Sequence, residues 1–422
     1  MLKIKLHWQI LIALVAAVIV GLAIGSDGSL FGVDVLPVFD FAGTLFLNAL
    51  KMLIVPLVMS SIIYGISGIG SQGALGRLGG KTLLYYLVTS TLAIVTGLVM
   101  VNLMQPGLID GEPARAMLGL SADTAEVTGK IEGRSGADVI AVFLRMVPPN
   151  IVQAAAEGQM LGLITFSLLF GFFMTRIEPD LGNVLKTFWH GVYHVMMHVT
   201  DLVMKFAPLG VFALVTKVVA TSGIDAFRPL AVFFFTTAAA LSIHLFITMP
   251  LILRLIAGVS PVRHFRAMLP ALLTAFSTAS SSATLPITME CVHERAGVSS
   301  RVTGFVLPLG ATVNMDGTAL YECVAALFIA QAYGVELGFA QQFSIVLLAL
   351  LTSIGVAGIP AASLVAITII LGSVGLPAEA IGMILAVDRL LDMSRTSVNV
   401  FSDSCGAVVI GRSEGEKDIL RA

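Results

Sequence analysis

The sequence predicts an all-α polytopic membrane protein, with eight transmembrane helices and two re-entrant helical hairpins arranged as inverted repeats. Three observations carry this expectation. The 422 residues are 57% hydrophobic and only 12% charged, with a mean hydropathy of +0.96, whereas soluble domains carry about 25% charged residues. Apolar runs of spanning length recur, and the loops between them alternate in Lys and Arg content. Several later runs are cut by small polar residues, and one carries a charged stripe.

The totals also exclude classes. A net charge of −2 offers no basic surface for a nucleic acid. Cys291, Cys323 and Cys405 are an odd number with neither disulfide-framework nor zinc spacing. After Lys3 and Lys5 the apolar run continues to Gly25 without a small-residue cleavage site, so it reads as a retained first span over 9–25 with a cytoplasmic N-terminus. Asp27 and Asp34 mark a short outer loop. Span two covers 38–66 and contains Lys51 and Pro56; Arg77 and Lys81 return the chain to the cytoplasm. Span three covers 82–104 and carries Tyr85, Tyr86, Thr89 and Ser90. Residues 105–138 hold Asp110, Glu112, Asp123, Glu126 and Glu132 and read as a solvated outer loop. A broken apolar region over 139–174 follows. Arg176, Glu178, Asp180 and Lys186 read as cytoplasmic. Spans five and six cover 190–219 and 229–256, and Arg254, Arg263 and Arg266 return the chain to the cytoplasm.

The remaining segments are interrupted. Residues 267–289 are cut at Ser277–Thr284, leaving halves too short to span, and arginines flank both ends. A hairpin entering and leaving on the cytoplasmic side satisfies both facts. Span seven, 303–332, is broken at Gly310–Thr318. Residues 341–374 are cut at Thr352–Pro360 without basic flanks, which suits a hairpin from outside. Span eight holds Asp388–Asp403 and ends near Arg412, before a cytoplasmic tail. Interrupted segments at matching places in two inverted units point to a transporter's binding site.

Spans seven and eight carry Asp316, Glu322, Asp388, Asp392 and Asp403 against Arg389 and Arg395: five carboxylates, two guanidiniums. Buried unpaired carboxylates protonate or bind cations, and hard cations such as Na⁺ favour oxygen donors. On a helix, Asp388, Asp392, Arg395, Thr396, Asn399 and Asp403 fall within about 100° of one face. Arg395 suits a carboxylate and Asp392 an ammonium; together they form either a zwitterion-reading pair or a plain internal salt bridge. Ser-rich hairpin tips around Ser280, Ser281 and Ser282 offer backbone N–H groups to a carboxylate. One ammonium and two carboxylates would use all of these.

Four stretches now match a known pattern: Ser281–Pro286, Asn314–Tyr321, Ser353–Pro360 and Asp392–Val400, joined by Met52–Pro56. They closely resemble the dicarboxylate/amino acid:cation symporter family, the glutamate transporters, over nearly the whole chain. The resemblance implies a homotrimer of sodium-coupled acidic amino-acid carriers with an elevator-type movement in the inner membrane. It implies a scaffold over 1–75 and 139–222, a transport domain over 76–104 and 223–412, and a tail over 413–422. Substrate would meet Ser281, Thr318, Ile359, Asp392, Arg395, Thr396 and Asn399. One sodium site would use Asp403, Asn399 and the carbonyls of Gly310 and Asn314. A second would use Tyr86, Thr89, Ser90, Asn314 and Asp316; a third, carbonyls near Thr312 and Met315 with Ser353, Ile354 and Val356.

Glu322 resembles the proton and potassium coupling point of the animal carriers, where archaeal relatives have glutamine, so H⁺ coupling joins Na⁺ as an expectation and K⁺ counter-transport stays open. Archaeal relatives place an arginine where this chain has Ala279, and animal relatives where it has Met393. Asp388 and Arg389 receive no role.

Competing readings are weaker. The Ser280–Ser282 cluster lacks a nearby base for proteolysis, so the chain is not read as an enzyme. A C4-dicarboxylate symporter would need Arg395 without Asp392, and a neutral amino-acid symporter the reverse. His190, His194 and His198 share one helix face and read as a packed stripe, and His244 reads as an isolated structural residue.

Overall fold

A computed structural model describes residues 6–25, 29–30, 33–67, 73–115, 117–118, 144, 146–157, 159–223, 225, 227–355, 362–377 and 380–420. Helices dominate them: α1 (Leu6–Ile24), α2 (Leu36–Ser67), α3 (Gly73–Met104), α4 (Ile151–Ala156), α5 (Met160–Met174), α6 (Pro179–Lys205), α7 (Ala207–Ser222), α8 (Phe227–Ala257), α9 (Pro261–Thr278), α10 (Ser281–Glu290), α11 (Ser300–Val313), α12 (Asp316–Ala332), α13 (Phe339–Gly355), α14 (Ala362–Val374) and α15 (Ile381–Ser413). The strands among the described residues are two minimal antiparallel pairs, β1 (Ser29–Leu30) with β2 (Val33–Asp34) and β3 (Leu108–Ile109) with β4 (Glu112–Pro113). The second lies in the expected outer loop. Its Asp110-Gly111 turn takes positive φ at both positions, as a tight hairpin requires. Arg228 fixes the turn through two hydrogen bonds of 2.9 Å to Asp110.

Among the described residues, α2, Arg77–Met104 of α3, α8 and the Ser300–Ala332 run of α11 and α12 are long and apolar enough to cross a bilayer. Together with the shorter apolar helices Trp8–Ile24, Gly162–Met174 and Phe339–Ser353, they make this a multi-pass membrane protein. The segment expected as a span over 190–219 is a bent pair of helices, α6 and α7, which meet at Phe206 at 48° and together are long and apolar enough to cross a bilayer. Pro208 lies in the first turn of α7, where its missing N–H costs nothing but would break a continuous helix. The charged residues before this segment open α6: Glu178 is its N-cap and Asp180 lies in its first turn.

Helices α1, α2, α5, α6 and α7 pack largely on one another, whereas α3, α8, α13, α14 and α15 pack around α12, and α9, α10 and α11 pack on α15. Helix α12 is buried on every face from Asp316 to Ala330, as a helix apolar all round must be. The break before α10 is a two-residue turn: Ala279 is left-handed (φ 51°) and Ser280 is extended. A non-glycine residue held there costs about 1–2 kcal/mol of local strain. The break in span seven falls at Asn314 and Met315, between α11 and α12. The break of residues 352–360 lies mostly outside the described residues; α13 remains helical through Gly355.

At the far end of α15, Glu414 gathers Lys81 and Arg77 of α3, each at 2.7 Å. Arg301 of α11 stands 4.0 Å away. Hydrogen bonds from Lys81 and then Arg77 hold the Glu414 carboxyl down to about 2. A carboxyl held low contributes stability that is complete above its ordinary value of 4.5 and fades as pH falls through about 2. Glu414→Gln is therefore expected to lower the melting temperature at pH 7. The gap from the unaltered protein should narrow as melts are recorded at decreasing pH below 4.5.

Candidate functional site

Helix α15 carries the charged stripe, and the structure closes its four ionic groups into one chain. Arg395 donates to Asp392 Oδ1 from Nη2 (2.7 Å) and Nε (3.1 Å), and from Nη1 to Asp388 Oδ1 (3.1 Å). Arg389 Nη1 donates to Asp392 Oδ2 at 3.2 Å. The Arg395 guanidinium lies 4.3 Å from the centre of the Tyr321 ring of α12, a cation–π contact strengthened by burial. Arg395 is 2% exposed. Asp388 and Arg389, without a role in the sequence, thus belong to the same cluster. Both readings of the Asp392–Arg395 pair were open; the contact between them is a direct ion pair.

The second group forms where α12 begins. Asp316 accepts from Ser90 Oγ (2.6 Å) and Thr89 Oγ1 (3.4 Å) of α3 and from Ser402 Oγ (2.6 Å) of α15. Asn314 Nδ2 donates to Ser402 Oγ (3.0 Å) and to Asp403 Oδ1 (2.8 Å). Thr89 Oγ1 lies 3.5 Å from Asn314 Oδ1. Among the described residues neither Asp316 nor Asp403 pairs with Lys or Arg; the one ionisable partner is His244, whose Nε2 lies 3.2 Å from Asp316 Oδ2. His244 is therefore not isolated, correcting the sequence expectation: a π-helical turn of α8 presents it to the carboxylate. Spacing gave no hint of this, because the contact depends on tertiary packing. Ser402 was also missed, although it adjoins Asp403 on the stripe.

The expected residues are distributed as follows. Tyr86, Thr89, Ser90, Asn314 and Asp316 converge. Tyr86 donates to the Val306 carbonyl at 2.7 Å, and its hydroxyl and Asp403 Oδ1 would lie 2.7 and 2.4 Å from a Cβ built on Gly310. Asn399 turns to the start of α12: Oδ1 accepts from Gly317 N (2.8 Å) and Thr318 N (3.4 Å), and Nδ2 donates to Thr318 Oγ1 (3.1 Å). Thr396 donates to the Asp392 carbonyl at 2.7 Å. Ser280 caps α10, accepting from Ala283 N at 3.2 Å, with buried Ser281 and then Ser282 in the first turn. Helix α10 packs on α15.

Among the described residues, no hydrogen bond joins those expected at the third cation site. Thr312 and Ser353 each donate to a carbonyl of their own helix, at Leu309 and Leu350. Met315 packs with Leu57 and Ala366. Ile354 lies in α13, and Val356 and Ile359 fall outside the described residues. Glu322, wholly buried, accepts from Thr352 Oγ1 at 2.8 Å through Oε2, and its Oε1 has no partner among the described residues. On α6 the histidine stripe is locally paired: His190 and His194 Nε2 atoms lie 2.9 Å apart, and Tyr64 stacks on His190.

This is a donor set for hard cations beside a bipolar ion cluster. The pattern of the sodium:dicarboxylate symporter family matches residues 6–413. The chain belongs to this family. Symporters of known name align along it: a proton/sodium-glutamate symport protein of Geobacillus stearothermophilus is 36% identical, covering 99% of this chain and 96% of the relative. The proton/glutamate-aspartate symporter of Escherichia coli (strain K12) is 35% identical, covering 100% and 95%. The human excitatory amino acid transporter 3 is 34% identical, covering 96% and 85%.

In this symporter-family chain the two groups meet at Gly317. A Cβ there would lie 2.5 Å from the Arg395 carbonyl oxygen and 3.0 Å from its Cα. Backbone cannot swing aside, so α12 and α15 would have to part. Gly317→Ala is expected to destabilise the protein by about 1–3 kcal/mol, read as a fall in melting temperature. Gly80→Ala, inside α3 where a Cβ meets nothing within 4 Å, is the control that should not lower it, since Ala favours a helix over Gly.

Proposed function

We propose that this chain is a secondary active symporter that takes up acidic amino acids, L-glutamate or L-aspartate, with Na⁺ and H⁺. The observation that carries the reading is the division of buried charge. Asp388 and Asp392 are matched by Arg389 and Arg395, whereas Asp316 and Asp403 are buried without a Lys or Arg partner among the described residues. Unmatched carboxylates surrounded by hydroxyl and amide oxygens are a site for a hard monovalent cation. The matched cluster presents both signs of charge to a zwitterion. The relatives' names, which combine sodium or proton with glutamate and aspartate, agree.

On this reading Asp392 takes the substrate ammonium and Arg395 its side-chain carboxylate, with Thr318, Thr396, Asn399 and the α10 tip, Ser280–Ser282, completing the pocket. Na⁺ is taken at Asp403 with Asn399 and the Gly310 and Asn314 carbonyls, and at Tyr86, Thr89, Ser90, Asn314 and Asp316. A third ion is placed near Thr312, Met315, Ser353, Ile354 and Val356. The architecture is eight crossings and two re-entrant hairpins, α9–α10 and α13–α14, with both termini cytoplasmic. Residues 76–104 and 223–412 move as an elevator against a trimeric scaffold over 1–75 and 139–222. Presence of both Asp392 and Arg395 favours an acidic amino acid over a C4-dicarboxylate or a neutral amino acid.

Uptake of labelled L-aspartate and L-glutamate into proteoliposomes, with Na⁺, H⁺ and K⁺ gradients imposed separately, tests this. Accumulation should require an inward Na⁺ gradient and rise with an inward H⁺ gradient; uptake indifferent to Na⁺ sinks the reading. Glu322 sits in an apolar interior with one oxygen unpartnered among the described residues, which suits a group that carries a proton across. Glu322→Gln should keep Na⁺-driven uptake and flatten its pH dependence, and a retained wild-type pH profile would remove Glu322 from proton coupling.

A further inference from the structure

Two guanidiniums share one carboxylate at the point where the proposed function puts the substrate ammonium. An ammonium that pairs with Asp392 must take acceptor positions that Arg389 or Arg395 now holds. The two are held unequally. Arg395 makes three hydrogen bonds to two carboxylates, lies on the Tyr321 ring, and is 2% exposed. Arg389 makes one, at 3.2 Å, the longest in the cluster. Its Nε has no partner among the described residues, and its side chain is 10% exposed. Displacing Arg389 therefore sacrifices the weakest link, whereas displacing Arg395 would strand Asp388 as well.

We propose that Arg389 is a specificity-determining residue: a tethered cation that competes with the substrate's ammonium for Asp392 and stands in for it when the substrate has none. The inference rests on the symport reading given above. With Arg389 in place the four-residue cluster is neutral, two acids against two bases. A C4-dicarboxylate then meets an Asp392 whose outer oxygen is already neutralised. Without Arg389 the same ligand meets a cluster of net charge −1, Asp388 and Asp392 against Arg395 alone, which repels it, while an amino acid's ammonium loses a competing cation at Asp392. Removing Arg389 thus moves the two ligand classes in opposite directions, because specificity is a difference between affinities.

The test uses the full-length chain in proteoliposomes, with Na⁺-driven L-aspartate uptake and its inhibition by succinate, a dicarboxylate that lacks the ammonium. Arg389→Met, which keeps the apolar stem, is expected to lower the KM for aspartate and to raise the inhibition constant of succinate. Each shift should be about tenfold, the size of one hydrogen-bonded charge contact. Arg389→Lys, retaining the charge, should restore the unaltered ratio, which a merely structural role would not predict. Arg389→Gln carries the same expectation as Met if the latter fails to fold. A ratio that does not change, aspartate and succinate weakened together, or succinate that never competes in the unaltered chain overturns the proposal. Lack of Na⁺-driven aspartate uptake in the unaltered chain sinks the symport reading itself; normal uptake with an unchanged ratio sinks only the role of Arg389.

Discussion

Everything around the polar centre depends on one constraint: a charge removed from water must find another charge, or a ligand, at close range. The chain meets it in two ways a few residues apart on α15. Toward the N-terminal half, Asp388, Arg389, Asp392 and Arg395 neutralise one another within 3.2 Å. Toward the other half, Asp403, with Asp316 opposite, receives only neutral donors and a histidine. The first arrangement is closed but exchangeable. The second leaves two buried carboxylates held by neutral hydroxyl and amide donors and one imidazole, with no Lys or Arg partner among the described residues.

The backbone makes this possible by ending a helix in the middle of the protein. Helix α12 is apolar and buried all round, so its first turn must find partners for its free N–H groups. Asn399 supplies one oxygen to Gly317 and Thr318, and the side chain of Asp316 sits in that first turn, where the helix dipole favours a negative charge. The glycines at 310 and 317 let α11 and α12 approach α15 closely enough for these contacts. Thr89 and Ser90 then complete the group from α3. Three helices distant in sequence share a few ångströms because each contributes a residue the others need.

Much of this was legible beforehand, for identifiable reasons. The breaks at 279–280 and 314–315 were visible because Ser, Gly and Asn interrupt runs that membrane helices otherwise keep apolar. The stripe on α15 followed from helical periodicity, and an Asp388–Arg395 contact two turns apart lies within that periodicity too. Other features had little local signature. His244 looks like any apolar-helix histidine until α8 packs against α12. The kink at Phe206 sits in a largely apolar stretch, where Pro208 is its one local signal. The Asp110-Gly111 hairpin was within reach of turn chemistry alone. Val356 and Ile359, expected at a third cation site and the substrate pocket, lie outside the described residues.

Helix α15 is unbroken for 33 residues, about 50 Å at 1.5 Å per residue, longer than a bilayer's apolar core. Its neighbours α9–α10 and α11–α12 pause midway, yet this one does not. It acts as a rigid rod with the ion cluster near its middle and Glu414 at its tip. Lys81, Arg77 and Arg301 grip that tip. A strut of this kind cannot move at one point alone. Whatever restrains Glu414 at the end of this helix also restrains the ion cluster around Arg395 some five helical turns away.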